Sequence, residues 1–261
     1  MVTVVLCVCA YKCMQVRPGG QPSILRDQTA HRKSSPPRVL TYITTHLSSQ
    51  HYAFLEGCWP GSLKSLPIFQ GSDFMMFVTA EPDRTQIDME LIRSVFARPG
   101  ITVHVRPNPG YQEGAVLALT AAFEHGWFEG YDWVIQVNPD VLIRNDTFLR
   151  QSMANDRISG IFVDCLDRPC LAGKRCLDRQ IHTDFFAIRP TAISRGEILK
   201  ADNSHAEAVA TKAFSGIVRN GSDAWLPGTG PHNGMCRVTG IFSPVVHDHA
   251  GIWSCTTGTG A

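Results

Sequence analysis

From Arg38 to Val137, apolar runs alternate with amphipathic stretches. Arg38 to Thr45 is a short β-branched run that predicts a first strand. Ser48 to Cys58 carries aromatic and aliphatic residues at helical spacing, with Ser48 or Ser49 placed to cap the helix N-terminus. Asp73 to Thr79, with Phe-Met-Met-Phe-Val inside it, predicts a second strand. Asp88 to Ala97 predicts a helix with Met89, Ile92 and Phe96 on one face, and Ile101 to Val105 a third strand. Gly114 to His125 is rich in Ala and Leu and predicts a buried helix. Trp133 to Val137 is almost wholly apolar and β-branched, the pattern of a strand covered on both faces. It runs into Asn138-Pro139-Asp140.

Strand–helix repetition with short connections implies an α/β fold, a mostly parallel central sheet flanked by helices. The second half is less regular. Ile158 to Val163 and His182 to Ile188 predict strands, with Cys165, Cys170 and Cys176 between them. Glu197 to Val218 predicts a long helix, interrupted or restarted near Asp202-Asn203-Ser204. The stretch Gly221 to Ala261 is rich in Gly, Pro and His and is expected to wrap around a site.

Composition narrows this picture. The 261 residues suit one large or two small domains, and the pattern divides them into an apolar leader (1–16), a Pro/Gly/Ser-rich flexible linker (17–37) and a single domain (38–261). A formal charge of +1 leaves no basic field for nucleic acid, so no nucleic-acid partner is expected. The run Val2 to Ala10 is shorter than the roughly 20 residues that cross a bilayer. It reads as the remnant of a signal or anchor, through which the chain would attach to a membrane. Of nine cysteines, six lie beyond the leader and linker, and disulfides fit their spacing better than a zinc knot. With sequons at Asn145 and Asn220, this points to a glycoprotein of the secretory pathway, with the cytoplasm as the alternative.

The candidate chemistry lies in three motifs and a loop. Pro139 cannot donate to a sheet, so the strand stops there and leaves Asn138 and Asp140 at its C-terminal mouth, where open α/β sheets bind ligands. Two oxygen-bearing side chains at i, i+2 can share Mg²⁺ or Mn²⁺, which in turn meets a diphosphate. The same tripeptide also reads as a plain turn. His182-Thr183-Asp184 heads a buried strand, and strand direction decides which rim Asp184 faces. Asp184 is an acid, a base or a ligand there, or else a cap or a salt-bridge partner. In Val245 to Trp253, His247 and His249 flank Asp248 beside Gly251, and imidazole is a common ligand for transition metals. The loop Arg106 to Ala115 leads to a helix N-terminus near Gly114, suited to an anionic ligand, with Tyr111 and Glu113 as contacts for a nucleoside or sugar. A Pro/Gly turn is the plainer reading of that loop.

A βαβαβ half, an apolar strand ending in a short acidic motif and a late segment with His, Gly and Trp together resemble the GT-A fold glycosyltransferases, over roughly Arg38 to Trp253. The resemblance implies that Asn138-Pro139-Asp140 takes the place of an Asp-x-Asp motif holding Mn²⁺ (or Mg²⁺) and the donor diphosphate. It further implies that Asp140 is the second aspartate and that His247 or His249 adds a ligand. Asn138, Asp140, Tyr111, Glu113 and Gly114 would contact a nucleotide-sugar, first of all a UDP-sugar. Asp184, and after it Asp164, would serve as acceptor base or sugar-binding carboxylate toward a glycan or protein acceptor. Asn138 departs from the motif and removes one negative charge. That departure keeps two alternatives in view: a catalytically silent binding module of the same fold, and a metal-dependent hydrolase or nucleotidyltransferase.

Overall fold

A computed structural model of the chain describes residues 36–80, 87–164, 181–198, 205–226 and 244–247. The leader, nearly all of the linker and His249 lie outside them. Among the described residues the strands are β1 (Val39–Thr45), β2 (Ser72–Ala80), β3 (Thr102–Pro107), β4 (Trp133–Val137), β5 (Val141–Ile143), β6 (Gly160–Asp164), β7 (Ile181–Ile188), β8 (Asp223–Trp225) and β9 (Val245–His247). The helices are α1 (Ser49–Gly57), α2 (Trp59–Ser65), α3 (Pro67–Gln70), α4 (Met89–Val95), α5 (Tyr111–Glu124), α6 (Thr147–Met153), α7 (Arg195–Ile198), α8 (Ala206–Ala213) and α9 (Ser215–Arg219).

Seven strands form one sheet in the order β3-β2-β1-β4-β7-β6-β8, and β5 pairs with β9 in a separate ribbon. β1 is parallel to β2 and β4, β2 to β3, and β6 to β8. β7 runs antiparallel to both β4 and β6. This is the mostly parallel, helix-flanked α/β sheet that the alternation predicts.

The sheet separates two cores because side chains alternate between its faces. Val39, Ile43, Trp133, Ile135 and Val137 pack with residues of α1 to α4 and α6. Leu40, Tyr42, Val134 and Phe186 pack with α5 and α7 to α9. All five residues of β4 are buried, so the apolar run read from its sequence is explained by covering on both faces. β3 lies at the sheet edge, and its side chains are correspondingly half-exposed or exposed.

Local chemistry sets several boundaries. Ser48 caps α1 by accepting the N–H of His51, and Asp88 caps α4 by accepting that of Leu91. α5 begins at Tyr111, earlier than the Ala/Leu-rich pattern suggested. The Asn108 side chain accepts the Gly110 N–H at 3.0 Å, and Gly110 turns into the helix at φ 138°, a conformation that favours glycine. α2 and α3 each start with a proline in the first turn and are too short to leave a periodic signal. The interruption predicted near Asp202-Asn203-Ser204 within Glu197 to Val218 lies outside the described residues. Within the described part of that stretch the chain steps between α8 and α9 at Phe214, whose ring is buried against Phe162 and Phe186.

Asp146, just after β5, is buried, and it ties α3 and α6 together. One oxygen accepts the Ile68 N–H at 2.8 Å and the other the Arg150 Nε at 3.0 Å. Asp146→Ala leaves a buried backbone donor unmatched and is expected to cost about 2 kcal/mol in urea unfolding. A loss below about 0.5 kcal/mol would place that bond among those of no net worth.

Candidate active site

The end of β4 is a hydrogen-bonded turn. The Val141 N–H donates to the Asn138 carbonyl at 3.0 Å, and the buried Trp59 indole donates to the Pro139 carbonyl at 3.0 Å. The turn reading and the site reading of this tripeptide therefore describe one object, because the turn buries Asp140 beside its partners. β5 leaves the turn at once and pairs antiparallel with β9, in a register that sets Val141 opposite His247. A residue 107 positions later thereby reaches Asp140: His247 Nε2 lies 3.3 Å from Asp140 Oδ2.

β7 supplies the second carboxylate. Because it is antiparallel, its N-terminal half reaches the rim where β1, β2 and β4 end, and the Asn138 N–H donates to the Asp184 carbonyl at 3.0 Å. Asp184 sits inside β7 rather than ahead of it. Its Oδ1 accepts the Asn138 Nδ2 at 2.7 Å. Its Oδ2 lies 3.3 Å from His247 Nδ1 and 3.4 Å from His182 Nδ1. The Asn138 oxygen accepts the Thr44 hydroxyl at 2.7 Å, so both ends of this amide are engaged.

Asp140 is held from a third side by α1. His51 Nε2 lies 3.5 Å from Asp140 Oδ1, and Gln50 Nε2 donates to Oδ2 at 3.5 Å. His51 Nδ1 is in turn 2.8 Å from the Thr45 hydroxyl, which also accepts the Leu47 N–H at 2.9 Å. Leu47 takes φ 54°, a strained value for a branched side chain, and its buried side chain and bonded N–H hold it there. Burial on its own would raise the carboxyl pKa of Asp140. Hydrogen bonds from His247 and His51, together with their charge, outweigh it and hold the group far below the usual carboxylate range.

His182, Asp184 and His247 offer ligand atoms that all lie within 4.8 Å of one another. Donors about 2.1 Å from a tetrahedral ion stand roughly 3.4 Å apart, and the contacts of Asp184 with the two imidazoles measure 3.3 and 3.4 Å. Two imidazoles and a carboxylate form a mixed donor set suited to a divalent transition ion. These residues fit such an ion.

Above them opens a cavity of about 680 Å³, lined by Thr44, Thr79, Asn138, Asp140, Asp184 and His247 among others. It lies where the strand order reverses between β1 and β4, the ligand position of open α/β sheets. First-turn residues of α1, α5 and α8 also line it, and the amides at a helix start favour an anion.

Of the residues picked out in the sequence, Asn138, Asp140, Asp184 and His247 come together. Gly114 lines the same cavity, and its lack of a side chain lets α5 approach Asn108 and Thr79, each 3.3 Å from where a Cβ would stand. Glu113 is exposed, with its carboxylate folded over Gly110, and is not part of the cavity wall. Tyr111 takes the first position of α5, and Asp164 is the last residue of β6, paired with Ile181. The side chains of both are outside the described set, as is the whole of His249. Sequence reasoning missed His51, Gln50, Thr44 and Glu207, and it did not weigh His182 as a ligand. No local signal marks them, since each reaches the site through strand pairing or helix placement.

No known protein family matches the sequence, and no curated protein matches it. Solved structures do match in fold. A mannosyltransferase, PcManGT from Pyrobaculum calidifontis in complex with GDP-Man and Mn²⁺, is 14% identical at a TM-score of 0.44 over 68% of this chain. The chain spans about half of that protein, 52% of its length. The galactosyltransferase LgtC, in complex with donor and acceptor sugar analogs, is 11% identical at a TM-score of 0.45, over 73% of each chain. Mouse xyloside xylosyltransferase 1 is 9% identical at a TM-score of 0.42, over 73% of this chain and 85% of its own. Each is a protein to which this chain is similar in fold.

Asp140→Asn keeps the shape of the network and removes its charge. The folded carboxyl is depressed below its unfolded value near about 4. Its stabilisation is therefore complete above that pH and lost as pH falls below it. The substitution is expected to cost about 3 kcal/mol at neutral pH, and the gap to wild type should shrink between about pH 5 and 3 in urea titrations. A pH-independent gap would mean that the charge is not what the network holds.

Proposed function

We propose that this chain transfers a sugar from a nucleotide-sugar to a glycan or protein acceptor, with a UDP-sugar as the donor to try first. One observation carries the reading. Asp184 and His247 of the carboxylate–imidazole cluster line a cavity at the C-terminal ends of β1 and β4, beside three helix starts. A volume of about 680 Å³ suits a nucleotide-sized ligand. Helix starts and an ion-binding group side by side are what a diphosphate would meet.

A divalent ion on this group would offset the charge that develops on a departing diphosphate. The remaining work falls to the chain itself. Thr44 and Asn138 fix Asp184, while His51 and Gln50 fix Asp140. As the bond to the acceptor oxygen forms, the bond to the diphosphate breaks, and the acceptor proton must reach a base. Asp184, expected from the sequence in that role, belongs to the group that would hold the ion, and a carboxylate beside a cation is a weaker base. Glu207 lines the cavity at the start of α8, where it accepts the Thr183 hydroxyl at 3.2 Å and lies 3.2 Å from His205 Nδ1. We assign the base role to Glu207.

We place the reaction in the secretory pathway, in the Golgi lumen, with attachment through the N-terminal leader. Cys58 is disulfide-bonded, which supports an oxidising compartment. Asn145 and Asn220 are exposed, as glycosylation acceptors must be. Among the described residues no helix is long and apolar enough to cross a membrane.

Titration calorimetry with UDP, with and without Mn²⁺, tests the reading directly, and binding that strengthens with Mn²⁺ is expected. Absence of binding in both conditions would sink the transferase. Tight binding without turnover across a donor screen would leave a silent module. Glu207→Gln should lower turnover by about 100-fold or more while leaving UDP affinity unchanged. An unaltered rate would remove Glu207 from the chemistry.

A further inference from the structure

The resemblance to GT-A enzymes would put a divalent ion on Asn138 and Asp140, with His247 or His249 as a further ligand. We propose instead that the ion centre of this chain is built on His182, Asp184 and His247. Asn138 and Asp140 are then positioning residues behind it, and the centre takes a transition ion in preference to Mg²⁺. This refines the site of the proposed function without depending on its reaction.

The contacts of His247 carry the assignment. Its Nδ1 faces Asp184 Oδ2 at 3.3 Å, while its Nε2 faces Asp140 Oδ2 at 3.3 Å. A ligating histidine commonly binds through one ring nitrogen and donates the other N–H to a carboxylate, which fixes tautomer and ring orientation. Asp140 is placed as that outer carboxylate. It is buried, and His51 and Gln50 hold it from the far side.

His182 is the third donor of the group. Its Nδ1 accepts the Asp184 N–H at 3.2 Å, so in that bond the nitrogen offers a lone pair and no proton. The same nitrogen lies 3.4 Å from the Asp184 Oδ2. To ligate an ion that nitrogen would exchange the backbone N–H for the ion, because an imidazole nitrogen carries one lone pair.

Asn138 completes the account. Its Nδ2 donates to Asp184 Oδ1 at 2.7 Å and its oxygen accepts from Thr44 at 2.7 Å. An aspartate here would lose the donor and set two carboxylates against each other. The amide is what an ion on Asp184 and the imidazoles requires. Ion preference follows from the donors, because Mg²⁺ favours oxygen ligands and water, whereas imidazole suits transition ions.

The full chain, stripped with chelator and free of nucleotide, is titrated with Mn²⁺ and with Co²⁺. Electron spin echo spectra of the Mn²⁺-loaded wild type should count two coordinated imidazoles, and a hundredfold excess of Mg²⁺ should not displace the ion. His182→Ala should weaken binding by about 100-fold and Asp140→Asn by about 10-fold, while Asn138→Asp should not tighten it. A single imidazole in the wild-type spectrum would overturn the assignment, and so would equal competition by Mg²⁺ or tighter binding by Asn138→Asp. The spectrum needs no variant to fold. Ion binding with two imidazoles but no UDP binding would keep this centre and retire the transferase. UDP binding with one imidazole would do the reverse.

Discussion

Asp140 and Asp184 are two carboxylates drawn out of bulk water into a single site, and the imidazole of His247 stands between them. Removing a carboxylate from water costs several kcal/mol unless its oxygens are matched by donors or cations. That requirement accounts for the polar residues gathered at this rim. His51 and Gln50 serve Asp140, while Asn138 serves Asp184. Thr44 and Thr45 hold the residues that do the serving. The cavity above inherits a floor whose side chains are held in place by these bonds.

The asparagine at position 138 looks, in isolation, like a damaged aspartate. In the folded chain it donates to a carboxylate that arrives from another strand, which no aspartate could do at neutral pH. The loss of a charge is therefore matched to the gain of Asp184. A motif judged only against its neighbours in sequence would be read as weakened, whereas its spatial partner shows an exchange of roles.

Two strand pairings make the exchange possible. β5 and β9 form a ribbon that carries His247 to the turn after β4. β7 enters the sheet against the direction of β4, which puts its early residues at the ligand rim instead of the opposite edge. Had β7 been parallel, Asp184 would lie near the far end of the sheet, and the His247 Nδ1 would lose its carboxylate neighbour.

What the sequence determined by itself was the layered α/β body. Period-two and helical apolar patterns report local geometry and burial, so β1, β2, β4, α1 and α4 could be placed within a residue or two. The identity of Asp140, Asp184 and His247 as candidates was also legible, because a proline-stopped strand and a His-x-His after a β-branched run are local features. The partners of these residues were not. His51 and Gln50 sit in an ordinary amphipathic helix, and Glu207 in the first turn of another. Strand direction, sheet order and register depend on contacts between distant segments, which leave no periodic trace in either one. Only the tertiary structure could therefore decide that the Asn138 amide faces Asp184, and that one histidine bridges two carboxylates.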